Sequence, residues 1–159
     1  MALFDLDSPK SFFDLIERRW RHYASASHKH TEDILFVVLG LNHLREWIAP
    51  GYPRARKDAE GKSYRNWDDT RNANEVFSRK IYENPAFSTI RALCNGTKHV
   101  KSQVDTTTTY RLTVSQWSDL ASIRSIAKGP PSGFYVEGTL IDSIIEAVLE
   151  DYRAWFARP

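Results

Sequence analysis

The chain has one cysteine, Cys94, which excludes an internal disulfide, and it has no cysteine pair of the kind used in zinc or redox motifs. Glycine and proline supply only seven residues each, too few for a collagen-like or low-complexity chain. Long hydrophobic runs are also missing. The most apolar stretch, Ile34 to Leu44, falls well short of the ~20 residues of a membrane-spanning helix and runs into Arg45 and Glu46, so it is expected to be a buried core helix, with no membrane partner. The opening Met-Ala-Leu-Phe-Asp-Leu-Asp has neither the basic nor the apolar region of a secretory signal, so the expected location is the cytoplasm. Neither sign of charge dominates: 22 basic residues face 20 acidic ones, and a net charge of +2 does not by itself mark a nucleic-acid binder. There is no Gly-rich phosphate loop and no serine elbow. The motif-defined enzyme classes are therefore left without support, and no cofactor is expected.

What is present is an ordinary globular composition over 159 residues, 42% hydrophobic and 13% aromatic, enough for one core and a single domain over 1–159. Ser8 followed by Pro9 is a helix start, and Phe12, Phe13, Ile16, Trp20 and Tyr23 recur at helical spacing, predicting a helix over 9–25. Thr31 is placed to cap a second helix with Glu32 and Asp33 in its first turn; Pro50 stops it near Ala49. Its apolar residues go nearly all round, so it should be central. Residues 51–67 read as an exposed basic loop.

Asp69 or Thr70 can cap a helical segment from Arg71 to Tyr82, and Asn84 with Pro85 restarts the chain as a new helix whose inner stripe includes Ala86, Phe87, Ile90, Leu93 and Cys94. The Thr-rich run Thr106 to Val114 favours a strand, with Phe134 to Val136 as its partner. Ser143 and Glu146 have capping-box spacing before an amphipathic pattern that runs to Phe156. The expected fold is mainly α, a four-helix-bundle-like arrangement with a short β-ribbon before the last helix. Leu39, Leu41, Trp47, Ile90, Leu93, Ile145, Leu149 and Trp155 are expected to share its core, with Trp20 and Trp47 as core residues rather than binding platforms.

Three constellations could carry chemistry. Arg91, Asn95 and His99 stand at four-residue intervals on the helix that begins at Pro85, close to one face. Histidine exchanges a proton near neutral pH, arginine holds phosphate and asparagine orients either, a set suited to acid-base cleavage of RNA, with Lys98 as a further phosphate contact. The alternative is the solvated side of an amphipathic helix. His43 and Glu46, one turn apart on the second helix, would form a supporting polar cluster with Asn95 and His99. A two-histidine, one-carboxylate metal set is the other possibility, and no metal is expected. Arg54, Arg56, Lys57, Lys62 and Arg65 lie beside Tyr64 and Trp67, a mixture that suits single-stranded nucleic acid, against which stands a plain solvated loop.

The segment Arg91-Ala-Leu-Cys-Asn-Gly-Thr-Lys-His99 resembles the ribonuclease motif of the HEPN superfamily, an arginine and asparagine, three intervening residues and then a histidine. Asn95 and His99 match, and Cys94 occupies the arginine position with Arg91 one turn earlier. The Cys-Asn-Gly-Thr-Lys-His string, with Asn42-His43-Leu-Arg-Glu46-Trp47, is also similar to a group of uncharacterised prokaryotic and phage-borne helical proteins. The resemblance implies a helical bundle, a homodimer with the site near its seam, and a role in RNA binding or cleavage or in phage defence. His99, Asn95 and Arg91 would be its catalytic set. The competing expectation is a non-catalytic interaction or dimerisation module of the same fold.

Overall fold

The computed structural model describes residues 6–26, 29–98, 112–113, 134–136 and 139–158, with the backbone alone for 96–98, 112–113 and 135. The protein is mainly helical. In chain order the elements are α1 (Pro9–Ser25), α2 (Thr31–Ile48), β1 (Arg54–Lys57), β2 (Ser63–Asn66), α3 (Ala73–Glu83), α4 (Pro85–Lys98), β3 (Leu112–Thr113), β4 (Tyr135–Val136), β5 (Thr139–Leu140) and α5 (Ile141–Phe156).

The helix starts show which polar groups win the orphan amides. Ser8 Oγ accepts from the Ser11 amide and Ser11 Oγ accepts from the Ser8 amide, both at 3.1 Å, with Pro9 at the first position of α1. Thr31 does not cap α2 but is its first residue; His30 precedes it without a side-chain bond. The cap of α3 is Asn72, whose Oδ1 accepts from the Glu75 amide at 3.0 Å, because Asp69 is engaged by the arginines around it. Asn84 does two jobs at the break before Pro85, accepting from the Ala86 amide at 2.8 Å and donating to Asp151 of α5 at 2.7 Å. The expected box of Ser143 and Glu146 is not formed, since both lie inside α5. That helix begins where the Ile141 amide donates to the Phe134 carbonyl at 2.8 Å, and Glu146 is instead the acceptor for Trp20 Nε1 at 2.6 Å.

Residues 51–67 are exposed for the most part but are not a plain loop. β1 and β2 pair antiparallel from Arg54 opposite Asn66 to Lys57 opposite Ser63. Asp58 closes the turn, its carboxylate accepting from the Lys62 amide at 2.7 Å, and Gly61 supplies the positive φ of 79° that a branched or bulky residue resists. The ribbon before α5 is present as β3 beside β4, Leu112 opposite Val136, and β4 carries β5 on its other edge. The remainder of the Thr106 to Val114 segment lies outside the described residues.

One core joins the helices. Leu41, Ile90, Ile145 and Leu149 are fully buried in it, with Leu39, Leu93 and Trp155 packed at its margin. Trp20 is buried, as its place in the α1 stripe requires. Trp47 is not a core residue: it is 41% exposed and rests against Phe12, ring centroids 4.9 Å apart. The buried positions of the second half of α2 are Gly40, Leu41, Asn42, Leu44 and Ile48, which leaves residue 47 on the flank of that stripe. No helix among the described residues is long and apolar enough to cross a membrane.

Candidate functional site

An aromatic column stands where the hairpin, α3, α2 and α4 meet. Tyr52 sets its edge on Trp67, at 5.4 Å and 89°, and its hydroxyl donates to the Trp67 carbonyl. Trp67 stacks on Tyr82 of α3 with centroids 3.7 Å apart. Two guanidinium groups reach this pair from different helices. Arg91 of α4 lies 4.0 Å from the Tyr82 ring centre, and Arg45 of α2 lies 5.5 Å from that of Trp67 and 6.0 Å from that of Tyr82.

The two arginines are poorly satisfied. Arg45, with its side chain only 11% exposed, donates from Nη1 to Ser78 Oγ at 3.2 Å, and its Nη2 is 3.8 Å from Glu46 Oε1. Its Nε, and Nη1 of Arg91, are buried without a hydrogen-bond partner. A buried donor left unpaired costs about 1 to 3 kcal/mol, more when charged, so two at one place need a compensating partner or a ring face. Burial lowers the pKa of Arg45, and the nearby charge of Arg91 acts in the same direction while Glu46 opposes it. The chemistry on offer is that of an anion receptor with aromatic walls.

Of the residues singled out from sequence, Arg91 belongs to this site and Asn95, one turn later, is exposed. His99 lies outside the described residues, as does the side chain of Lys98, so the expected cluster of His43, Glu46, Asn95 and His99 is not described as a unit. His43 and Glu46 pair with each other, Nδ1 to Oε2 at 3.1 Å, and both are substantially exposed. His43 sits at the edge of the buried stripe of α2, between Leu44 on one side and the exposed Glu46 and Trp47 on the other. Cys94 points the other way, fully buried in the core. No group of three metal-ligating side chains occurs among the described residues.

The basic hairpin is largely neutralised by its own fold. Arg54 pairs with Glu75 and donates to the Asp69 carbonyl at 2.8 Å; Arg56 pairs with Asp69 at 2.6 Å; Arg65 donates to the Pro53 carbonyl at 3.1 Å. The hydrogen bond from Arg54 holds the Glu75 carboxyl below its usual range, and those from Arg56 and Arg71 do the same for Asp69. Arg54 fastens the hairpin to α3 through Glu75, Arg56 ties it to Asp69 ahead of that helix, and Arg65 braces the hairpin on itself. Lys57 and Lys62 are exposed and make no ion pair among the described residues.

Arg45 was missed in the sequence, where it reads as the charged end of an apolar run. The available signal was its spacing, since residue 45 follows Leu41 by four and precedes Ile48 by three, which sets a cation beside a buried stripe. No family model, no curated protein and no solved structure matches the chain.

Proposed function

We propose that the protein is a HEPN-like RNA-binding protein of prokaryotic or phage origin, a four-helix-bundle relative that holds RNA by phosphate contacts rather than by turning it over. The observation that carries this reading is Arg91, stacked on Tyr82 with a buried donor unused by the protein and one turn before the exposed Asn95. A cation fixed on a ring face beside a partly exposed aromatic pair suits phosphate with stacked bases. Cys94 argues against the catalytic form, because the position the ribonuclease motif gives to arginine faces the core. The proposed partners are RNA and a second copy of the chain. For the second copy, the exposed Trp47 over Phe12 is the kind of aromatic anchor enriched at interfaces.

Fluorescence anisotropy with a short single-stranded RNA bearing a 5′-hydroxyl tests the reading. Arg91→Ala should weaken binding about 10-fold, the worth of one charge-assisted contact, while Arg18→Ala, an exposed cation on α1, leaves it within about 2-fold. Equal binding by wild type and Arg91→Ala, at matched thermal stability, overturns it. RNA cut by the wild type and spared by a His99→Ala protein would restore the ribonuclease alternative. A concentration-independent monomer mass would remove the second copy.

A further inference from the structure

We propose that Arg45 and Arg91 form one seat for a phosphate monoester, the dianionic end of an RNA strand or of a nucleotide. This deepens the RNA reading and rests on it only for the identity of the larger molecule.

Three observations converge. First, the fold gives its other part-buried arginines a carboxylate at close range. Arg54 has Glu75, and Arg153 has both Glu17 and Glu146 at 2.6 Å. Among the described residues, Arg45 has only the Glu46 carboxylate, at 3.8 Å and closer, at 3.1 Å, to His43, and Arg91 makes no ion pair. Among the described residues the pair therefore has two positive charges and one solvent-facing counter-charge, shared with His43. Second, each guanidinium has a buried nitrogen without a hydrogen-bond partner, Nε of Arg45 and Nη1 of Arg91, so donors as well as charge are in excess. Third, Tyr82 covers one face of Arg91 at 4.0 Å, which leaves the in-plane edge for bonding. Guanidinium edges match the oxygens of phosphate two at a time.

The excess charge sets the preferred form of phosphate. A diester inside a strand carries one negative charge, whereas a monoester carries about 1.5 to 2 at pH 7 and has three free oxygens. Two arginines with spare donors fit the second better. The preference should also grow as the monoester loses its second proton near pH 6.

The test measures the affinity ratio of one RNA sequence bearing a 5′-phosphate, a 3′-phosphate or hydroxyls at both ends. A monoester should bind at least about 10-fold tighter than hydroxyl ends at pH 7.5, with the ratio shrinking at pH 5.5. In Arg91→Gln, and in Arg45→Lys should Arg45→Gln fail to fold, the ratio should fall toward one, with folding checked by thermal melting. Competition by inorganic phosphate and by adenosine monophosphate separates the sources: displacement by both assigns the seat to the phosphate itself, by the nucleotide alone to a nucleotide end. A ratio of one in wild type overturns the seat, even where hydroxyl-ended RNA still binds through Arg91 and the RNA reading survives. Phosphate-dependent protection against melting that both variants lose, in a protein that binds no RNA, upholds the seat and removes the RNA reading. Arg91→Gln melting higher than wild type with no phosphate effect on either protein assigns the pair to packing and overturns the seat.

Discussion

The Tyr152 hydroxyl of α5 donates to the Leu41 carbonyl in the middle of α2 at 3.0 Å, inside the core. Burial drives the phenol's pKa well up, so it is a neutral donor at any ordinary pH. Arg45 is one turn beyond Leu41 on α2 and its charge is felt at the Tyr152 hydroxyl. The packing of the two helices thus reaches the cluster of Arg45, Arg91, Trp67 and Tyr82.

Tyr152→Phe removes the hydroxyl and leaves the ring, so no cavity of consequence opens. The Leu41 carbonyl keeps its intrahelical partner, the amide four residues on, and is not orphaned. The expected loss is about 0.5 to 1.5 kcal/mol in a urea titration. A loss above about 3 kcal/mol would mean that the hydroxyl organises more of the core than one bond.

Gly40 of α2 lets α1 approach closely. A methyl group added there would stand 2.8 Å from Ile16 Cγ1 and 3.0 Å from its Cδ1, and Ile16 is fully buried with nowhere to retreat. Alanine gains about 1 kcal/mol of helix propensity over glycine, and overpacking costs about 1 to 3 kcal/mol. Gly40→Ala is therefore expected to be neutral to destabilising by about 2 kcal/mol. In an Ile16→Ala background the same change should become stabilising by about 1 kcal/mol, which a double-mutant cycle reads directly. The same sign in both backgrounds would show that the contact is not the cause.

The main elements were legible because several local signals agreed on them. Ser8 with Pro9 gave the start of α1, Pro50 the stop after α2, and Asn84 with Pro85 the break between α3 and α4. Where one residue could serve two purposes, the sequence misled: Asp69 is a good cap in isolation but is held by Arg56 and Arg71, and Glu146 has capping spacing but is spent on Trp20 and Arg153. The hairpin reads as a loop in the sequence because its pattern lacks apolar alternation; what holds it is charge pairing with Asp69 and with Glu75 of α3, which only tertiary contact sets. At the site, Arg91 was visible from its helical stripe. Arg45 was not, because its partners on α3 and before it, Ser78, Tyr82 and Trp67, are distant in sequence.

The clamp between hairpin and α3 should be acid-sensitive. Glu75 and Asp69 have folded pKa values below those of the unfolded chain, through hydrogen bonds from Arg54 and from Arg56 and Arg71 respectively. Their contribution is complete above the unfolded carboxylate range, about pH 4 to 4.5, and is lost as pH falls through the lower folded values. Stability should then drop more steeply below about pH 4 in wild type than in Glu75→Gln, which starts lower and titrates less. Parallel acid limbs for the two proteins would refute the linkage.

Position 94 is where the proposed HEPN-like reading expects an arginine and the chain has cysteine. Cys94 is fully buried and Asn95 beside it is exposed, so one residue of helix separates the core side of α4 from its open side. Cys94→Arg would carry a guanidinium into the core that Cys94 shares with Ile90. An uncompensated buried charge costs on the order of 3 to 5 kcal/mol, against much less for Cys94→Ala, which removes only the thiol. Cys94→Arg should therefore melt well below Cys94→Ala and gain no RNA cleavage. Were it to fold with the stability of wild type, α4 would have to turn residue 94 outward, and the arginine, asparagine and histidine of the motif would then share a solvent-facing side. In that event RNA cleavage by Cys94→Arg, abolished by a second change His99→Ala, would make the chain a ribonuclease fold silenced by a single residue.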